Sequence, residues 1–536
     1  MLRTLNKSSS KSRLTQLKTG LNKWRLTFLV FALAYAVLVS LDLTKTPIYW
    51  DEVVHLNDGL FLLRGNYSEM NSFYPPLFDA VTMVFFKVLG VSVLSGRLVS
   101  VTFSLLSLWV VFELAYSMYG GKTALVSSVL LGVMPGYFWL SRVAMIETML
   151  VFFFTVSLFF FFNWLRNRQN KMLVLSGLTL GLGFLTKYQV LIAAVIMTAS
   201  ILLLAKGHLE LLFFKFTLLI ITVVAVAIPW ILISYQIYAS KMLDEWMYAL
   251  QIGNPEKSLY SARFPLPIFY FIEMTWPYSD VHPISLLLYI VSLLGLGLFA
   301  WRRKKEDKFL LIWFIVVFVF FSFIANKHWR YVLPLFPVLA ISASDFILFA
   351  CAKAKIIWKG HISVNKKRAV KVAAGLFIIF LAVGVLYSVN DAYHWVAKDQ
   401  IQIDIEGATN YAANRLNQNE SIILLCPFNL FSQDMVRFYL WTDCIKQNQV
   451  YQYPELPVDT YTPNFNITEF ISLCKQRNVK YVFTYEFGGI VPYFNTTLNL
   501  QKIYVMLYDS GNFTQISEEA TFGSNPRRIF ILTFLG

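Results

Sequence analysis

Two adjacent carboxylates, Asp51 and Glu52, follow the first long apolar segment and lie in the polar stretch 47–76. Acids held this close to a bilayer are usually functional, because a charge in hydrocarbon costs about 2.5–3.5 kcal/mol on insertion scales. A positioned carboxylate can accept a proton from a reacting hydroxyl. The alternative is a solvated loop in which both acids only cap a short helix that begins near Trp50.

The composition of the chain indicates a polytopic membrane protein. Of its 536 residues, 57% are hydrophobic and only 14% are charged, and the mean hydropathy is +0.57. The net charge of +15 comes from Lys and Arg clustered between apolar segments, as the positive-inside rule expects. The sequence has no signature of a nucleic-acid-binding module, so we expect no nucleic-acid partner.

The apolar segments predict about eleven membrane spans. A basic tail, residues 1–25, precedes an uncleaved first helix, which places the tail inside and Asp51 outside. Segment 77–90 is short and carries two charges, so we expect it to lie in the outer interface and not to cross. With that choice the dense basic loops all fall on one side. The predicted spans are 26–43, 98–116, 124–140, 145–165, 172–185, 190–205, 211–238, 284–301, 309–325, 331–350 and 372–389.

The region after residue 390 has a soluble pattern. Apolar strands are predicted at 421–426, 479–485, 503–508 and 528–534, and helices at 404–416 and 467–477. This alternation predicts an α/β domain over 391–536 on the outer face. Most of the sequons, such as Asn66 and Asn419, also fall on that side. Cys426, Cys444 and Cys474 allow one disulfide there, or remain unpaired buried thiols.

Several short motifs, taken in order, resemble the GT-C glycosyltransferases, and the closest branch is the protein O-mannosyltransferase and aminoarabinose transferase superfamily. The resemblance covers roughly residues 20–350. It rests on the basic-tailed first helix and on the motifs Tyr49-Trp50-Asp51-Glu52, Tyr74-Pro75-Pro76, Gly96-Arg97-Leu98-Val99-Ser100, Ser141-Arg142 through Glu147, Gly183 through Lys187, and Lys327-His328-Trp329-Arg330.

The resemblance implies a GT-C transmembrane domain over residues 26–390, with a catalytic first outer loop at 44–97. It also implies a sugar donor on a polyprenyl or dolichyl phosphate, used at the outer leaflet, and an acceptor hydroxyl on a protein, a glycan or a lipid. The chain departs from the family pattern at Tyr74, where some members have lysine, and at Glu147, where Asp is frequent.

The implied chemistry needs a base for the acceptor proton and cations for the phosphate leaving group. Asp51 is the expected base, with Glu52 or Glu147 orienting it, and attack from the opposite face inverts the anomeric carbon, by analogy with inverting glycosidases. The expected phosphate ligands are Arg97, Arg142, Lys187 and Arg330. Tyr49, Trp50, His55, Tyr74 and His328 complete the expected substrate loop.

Each candidate also has a structural alternative. Arginines at the ends of spans extend to the interface by default, and Lys187 can simply end a helix. His55 and His328 lack partners at metal-ligand spacing, so hydrogen bonding is the expected role for both. Whether a divalent ion takes part stays open, because the acids lack a closed ligand set.

Two other functions are compatible with a polytopic chain. A flippase or transporter would line a path through the bundle with its charges, and such proteins tend to show duplicated halves and broken helices. The sequence has no internal repeat, and its candidate charges gather at one face, which favours the transferase. A membrane-anchored adhesion or assembly protein would not require acids beside the first helix.

Overall fold

The computed structural model describes most of the chain. The described residues are 22–205, 209–251, 268–275, 282–324, 327–359, 364–399, 403–427, 430–442, 448–454, 465–485, 500–515, 521–523 and 528–536. Nearly all of the predicted basic tail, part of the basic stretch 353–371, and Cys444 lie outside these ranges.

Helices α1 to α16 form the membrane part and the loops that connect its spans. The first eight are α1 Lys23–Ser40, α2 Trp50–Arg64, α3 Leu77–Leu89, α4 Val93–Tyr119, α5 Gly121–Gly132, α6 Pro135–Leu140, α7 Glu147–Asn167 and α8 Asn170–Phe184. The next eight are α9 Ile192–Leu204, α10 Leu209–Tyr238, α11 Ser240–Gln251, α12 Ile268–Glu273, α13 Leu286–Arg302, α14 Lys305–Phe323, α15 Phe336–Lys359 and α16 Val364–Asp399. Short 3₁₀ turns lie at Tyr67–Glu69, Tyr188–Leu191 and Trp329–Leu335.

Each predicted span coincides with one or more of these helices. Within the described residues, six helical stretches are long and apolar enough to cross a membrane, and three shorter apolar helices accompany them. The chain is therefore a multi-pass membrane protein, and the count of eleven spans stays a prediction. Helix α3, predicted to lie in the interface, is 13 residues long and buries Asp79.

The predicted span 124–140 is divided into α5 and α6. The break precedes Pro135, which is the first residue of α6 and has no N–H to continue the preceding helix. Gly136 follows, and its N–H donates to the carbonyl of Pro283 at 2.9 Å. A Cβ at Gly136 would lie 2.9 Å from the Trp329 ring, so glycine allows α6 to approach the turn that carries Arg330.

The C-terminal region contains a mixed sheet. Its elements are α17 Ile405–Ala413, β1 Ser421–Leu425, α18 Gln433–Thr442, β2 Val450–Tyr453, α19 Ile467–Gln476, β3 Val479–Tyr485, α20 Leu500–Asp509, β4 Phe513–Gln515, β5 Thr521–Phe522 and β6 Ile529–Phe534. The strand order is β2-β1-β3-β6-β4, and β5 also pairs with β6. Strand β1 is parallel to β2 and β3, whereas β6 is antiparallel to β3 and β4. The predicted α/β class is confirmed.

One predicted strand is wrong, because residues 503–508 lie inside helix α20. Its apolar residues follow helical spacing: Ile503 and Leu507, four positions apart, are both fully buried, whereas Val505 and Tyr508 are exposed. The six-residue window was too short to distinguish this pattern from a strand. The predicted boundary at residue 390 also falls inside the continuous helix α16.

The C-terminal domain packs directly on helix α2, in the loop that follows the first span. The amide of Asn57 in α2 donates to the carbonyl of Asp434 at 3.1 Å, and the guanidinium of Arg64 donates to the carbonyl of Trp441. The rings of Phe61 and Trp441 lie 5.6 Å apart. One apolar cluster continues from α2 and α3 into the sheet. The α/β domain and the loop that carries Asp51 therefore lie on the same side of the membrane.

Candidate active site

The first turn of α2 sends its two acids in different directions. Neighbouring side chains on a helix point about 100° apart, so the carboxylates at positions 51 and 52 cannot share an environment. The side chain of Glu52 is fully buried, whereas that of Asp51 is 43% exposed. Only Asp51 is therefore directed toward space that a substrate can enter.

Glu52 forms a closed network with Arg97. Both of its oxygens accept from the Arg97 guanidinium, at 2.7 and 2.8 Å, and they also accept the backbone N–H groups of Tyr49 and Ala144. The remaining N–H groups of Arg97 donate to Leu43, Thr46 and Pro47. Arg97 is 0% exposed. The structure thus places Arg97 in the anchoring of the first outer loop and not in a phosphate site, contrary to the expectation from its motif.

Arg142 also lies elsewhere than expected. Its side chain is buried, donates to the carbonyl of Val39 at 2.8 Å and lies 5.9 Å from the Phe138 ring centre. These contacts join the start of the segment before α7 to helix α1. Arg142 therefore packs inside the bundle, against α1 and α6.

Asp51 pairs with Arg330, which is distant in sequence. The Arg330 Nη1 atom lies 2.8 Å from Asp51 Oδ2. Burial alone would raise the pKa of the Asp51 carboxyl, but the charge and hydrogen bond of Arg330 outweigh it and lower that pKa. Asp51 is accordingly an ionised carboxylate at neutral pH.

Glu147 and Lys187 lie on the other side of Arg330. Lys187 Nζ is 3.3 Å from Glu147 Oε1, and Arg330 Nη1 is 3.7 Å from the same oxygen. Glu147 begins α7, where the positive end of the helix favours an acid. Its other oxygen, Oε2, is buried without a hydrogen-bond partner. Two carboxylates and two cations therefore form one cluster.

Two histidines border this cluster. His55 Nδ1 lies 2.8 Å from Asp79 Oδ1, which ties α2 to α3. His328 Nδ1 accepts the backbone N–H of Arg330 at 3.1 Å and so shapes the turn that presents its guanidinium. Burial, assisted by the Arg330 charge, lowers the pKa of His328 to about 3, so its ring is neutral at pH 7. Both contacts agree with the hydrogen-bonded role expected for these residues.

The remaining loop residues surround the acids. The Tyr74 ring lies 5.1 Å from that of His55, and burial, with a smaller effect of the Asp51 charge, raises the pKa of its phenol, which stays protonated. Tyr49 packs edge-on against Trp139 at 5.3 Å, and Trp50 packs on the apolar cluster shared with the C-terminal domain. Tyr74 is thus close enough to Asp51 for the charge of that carboxylate to act on its phenol.

The acids do not form a metal-binding set. Among the described residues, no group of three or more His, Cys, Asp or Glu side chains is arranged to hold a metal ion. The cations that face Asp51 and Glu147 are side chains, Arg330 and Lys187.

Sequence reasoning missed two further polar residues near the site. Gln189 donates to the carbonyl of Tyr331 and joins the turn after Lys187 to the turn of Arg330. Asp58 is buried on α2, seven positions after Asp51, with Oδ2 lacking a hydrogen-bond partner. Seven positions return to the same helix face, so helical spacing alone could have indicated Asp58.

The cluster contains the groups needed for a hydroxyl to displace a phosphate leaving group from carbon. An ionised carboxylate can take a proton from a hydroxyl, and neighbouring cations can stabilise the negative charge that develops on a leaving phosphate. The two carboxylates lie on α2 and α7, and the two cations lie in the turns that follow α8 and α14. Because these elements are packed in the bundle, the charged groups are held in place before a substrate binds.

Comparison with known proteins gives matches at both sequence and fold level. The family model for dolichyl-phosphate-mannose-protein mannosyltransferase matches residues 74–233. A Proteus mirabilis protein, undecaprenyl phosphate-alpha-4-amino-4-deoxy-L-arabinose arabinosyl transferase 1, is 23% identical over 69% of this chain and 67% of its own length. With other curated relatives, the match spans from about a third to somewhat over half of their length.

Two solved structures share the fold over nearly the whole chain. ArnT from Cupriavidus metallidurans in the apo state has a TM-score of 0.63 at 15% identity, covering 96% of this chain and 98% of that one. The oligosaccharyltransferase AglB from Archaeoglobus fulgidus has a TM-score of 0.56 at 14% identity, covering 94% and 74%. These matches confirm the resemblance and the fold class predicted from the motifs.

Proposed function

We propose that this chain, which has the fold of the GT-C glycosyltransferases ArnT and AglB, transfers a sugar from a polyprenyl- or dolichyl-phosphate donor to an acceptor hydroxyl. The observation that carries the proposal is the cluster of Asp51, Arg330, Glu147 and Lys187. It combines an exposed carboxylate with two cations, and several relatives are arabinosyl transferases that use an undecaprenyl phosphate sugar.

Asp51 is the proposed base, and Arg330 and Lys187 are the proposed phosphate ligands. In the absence of substrate, Arg330 neutralises Asp51 and lowers its basicity. A donor phosphate that binds Arg330 competes with Asp51 for the guanidinium, so the carboxylate becomes more basic when the donor is in place. This exchange couples activation of the acceptor to binding of the donor.

Glu147 holds the cations during this exchange. Its Oε1 contacts Lys187 and lies near Arg330, so both cations keep one acid partner when phosphate arrives. Attack by the acceptor oxygen on the anomeric carbon forms the new glycosidic bond, the bond from that carbon to the phosphate oxygen breaks, and Asp51 takes the hydroxyl proton. A single displacement of this kind inverts the anomeric centre.

An apolar groove supports a donor with a lipid tail. It lies between α8, α9 and α10, has a volume of about 610 Å³ and is lined by residues such as Leu180, Val195 and Ile220. Helices α8 and α9 flank the turn that carries Lys187. A polyprenyl chain in the groove would bury its hydrocarbon while its phosphate lies toward the cations.

The proposed orientation puts the N-terminus and the stretch 353–371 in the cytoplasm and the α/β domain outside. The asymmetry of basic residues supports it, because Lys and Arg concentrate in loops opposite the Asp51 cluster. The contact of the α/β domain with α2 supports placing the domain and the cluster on one side. Transfer would then take place at the outer leaflet.

A reconstitution with defined donors tests the function. Purified protein in nanodiscs receives a panel of polyprenyl- and dolichyl-phosphate sugars labelled in the sugar, together with extracted membrane acceptors. We expect labelled acceptor, release of the lipid phosphate, and an inverted anomer by NMR. In liposomes, movement of an intact donor between leaflets without any transfer would instead establish the flippase and overturn the proposal.

A further inference from the structure

A polar pocket lies beside the active site, where the first outer loop meets the C-terminal domain. It has a volume of about 220 Å³ and is enclosed by α2, the loop Glu69–Ser72, α11 and α18. Asp58, which lines it, lies on the same face of α2 as Asp51. Seven residues at 1.5 Å per residue place the two positions about 10 Å apart along the helix.

Three buried polar side chains that line this pocket each have an oxygen without a partner among the described residues. These oxygens are Asn57 Oδ1, Asp58 Oδ2 and Ser72 Oγ, and their residues are 4%, 2% and 2% exposed. Leaving a buried polar group unsatisfied is unfavourable, so three such groups around one cavity require an explanation. A bound molecule with several hydroxyl groups would satisfy all three.

The charges in the pocket indicate what kind of molecule fits. Its lining carries four carboxyl groups and two cations, Asp58, Glu69, Glu245, Asp434, Lys241 and Arg437. Arg437 is already paired with Asp434, at 3.3 Å. Because acids outnumber cations in the lining, binding of a phosphate or sulfate would be opposed by charge repulsion.

Asp58 supplies both kinds of hydrogen-bonding atom. Its Oδ1 accepts the backbone N–H of Asn71 at 3.0 Å, whereas its Oδ2 is buried and accepts no hydrogen bond from the described residues. Burial, together with the nearby charge of Asp79, raises the pKa of Asp58 well above its usual range, which favours the protonated form. A carboxyl, an amide oxygen and a serine hydroxyl together offer donors and acceptors, as sugar hydroxyls require.

We infer that this pocket binds the carbohydrate part of the acceptor, as a neutral, hydroxyl-bearing sugar ring whose reacting hydroxyl reaches toward Asp51. The inference rests on the proposed transferase function and adds the chemical class of its acceptor. The volume is below the range of about 300–1,000 Å³ of drug-sized sites, which suits one sugar unit better than an extended peptide. Phe61 lines the same cavity and adds an apolar surface for the face of a sugar ring.

Direct binding tests the inference without a donor. Protein in nanodiscs is titrated with methyl and octyl glucosides, galactosides and mannosides, and binding is followed by saturation-transfer NMR. We expect at least one sugar to bind, and glucose 1-phosphate not to bind. If the methyl and octyl forms bind alike, the acceptor is a protein-linked or soluble glycan. If only the octyl forms bind, the acceptor is a lipid-linked glycan.

Two pocket variants and a matched control locate the site. Val54→Phe fills the pocket without removing a hydrogen bond, so we expect it to abolish glycoside binding; Val88→Phe, the same change at a residue 74% exposed on α3, should have no effect. Ser72→Ala should weaken binding about two- to tenfold, the scale of one neutral hydrogen bond. Binding that is unchanged in Val54→Phe, or no glycoside binding by the wild type, overturns the inference.

The two proposals fail in distinguishable ways. A protein that transfers sugar but binds no glycoside refutes the pocket and leaves the transferase intact. A protein that binds glycosides at this pocket but transfers no sugar from any lipid phosphate refutes the transferase alone. Transfer to a serine- or threonine-containing peptide, with binding blocked by Val54→Phe, would assign the pocket to a peptide and overturn the carbohydrate inference.

Discussion

Arg330 Nη1 lies 2.8 Å from Asp51 Oδ2, although the two residues are 279 positions apart in the chain. Asp51 is in the first turn of α2, and Arg330 is in the 3₁₀ turn before α15. Their pairing brings the outer loop after the first span against the last part of the bundle. The most accessible acid of the site thus lies beside the cation that it would share with a donor phosphate.

Replacing Asp51 by Asn should abolish most of the transfer reaction. The substitution keeps the shape of the side chain but removes the negative charge that accepts the acceptor proton. We expect kcat to fall about 10²–10⁴-fold, the usual contribution of general-base catalysis, while the lipid-linked donor still binds. Single-turnover transfer and donor binding in nanodiscs measure the two effects separately.

Asp42→Asn is the matched control for that experiment. Asp42 is a half-exposed acid between α1 and α2, and among the described residues its only ion pair is with Lys45. Its replacement should leave transfer within about a factor of two, the effect of a surface ion pair. If Asp51→Asn retained nearly full activity and Glu147→Gln did not, the base would be Glu147.

The pH dependence of transfer should shift when Arg330 is removed. The pKa of Asp51 is lowered below its ordinary value of 3.8, so in the wild type the carboxylate stays ionised until the medium is more acidic than that. Without Arg330, burial dominates and raises the pKa. We therefore expect the acidic limb of kcat/KM to move to higher pH in Arg330→Gln, in addition to a lower maximum.

Arg330→Lys separates charge from geometry in the same measurement. Lysine keeps the positive charge, so its acidic limb should lie between those of the wild type and Arg330→Gln. The lowered pKa of Asp51 also affects stability. A carboxyl whose pKa is lower in the folded than in the unfolded protein stabilises the fold at pH values above its unfolded pKa. This stabilisation is lost as the pH falls through the pKa of the folded state. An acidic limb that does not move in Arg330→Gln would show that Asp51 is not the titrating base.

Arg97→Ala should affect folding rather than donor affinity. The change leaves Glu52 as a buried carboxylate without its partner, which costs about 3–5 kcal/mol in other proteins. Thermal unfolding in detergent should show a large loss, whereas Arg303→Ala, at an exposed arginine, should change stability by about 0.5 kcal/mol or less. A stable Arg97→Ala protein with weakened donor binding would return Arg97 to the phosphate site.

Cysteine labelling in intact cells should confirm the proposed orientation. Cys351 is exposed in α15 on the basic side, and Lys475 is exposed on α19 of the C-terminal domain. In a Cys351→Ser, Cys444→Ser background, an impermeant maleimide should label Lys475→Cys without permeabilisation. The natural Cys351, tested in a Cys444→Ser protein, should react only after permeabilisation. The reverse pattern would invert the whole topology.

The sequence identified most of the charged residues of the site, but it did not predict which of them contact one another. Asp51, Glu147, Lys187 and Arg330 were candidates because their motifs lie at the outer ends of apolar segments, and the structure brings all four together. Arg97 was a candidate for the same reason. It is excluded from the cluster because its guanidinium already donates to Glu52 and to the backbone before α2, and these partners cannot be inferred from the spacing of residues in the sequence.

The membrane class, the approximate positions of the apolar helices and the presence of a C-terminal α/β domain followed from the sequence alone. Each is a local property, since apolar length, charge and periodicity can be read within a window of about twenty residues. Helix α20 was missed as a helix because its apolar window was shorter than that.

Only the tertiary structure decided which of two adjacent acids is exposed, which arginine pairs with it, and that Asn57, Asp58 and Ser72 line a cavity with the C-terminal domain. These relationships join segments tens to hundreds of residues apart. A contact between distant segments depends on how whole helices pack and on where every polar group finds a partner, and neither is written in the residues on either side of the contact.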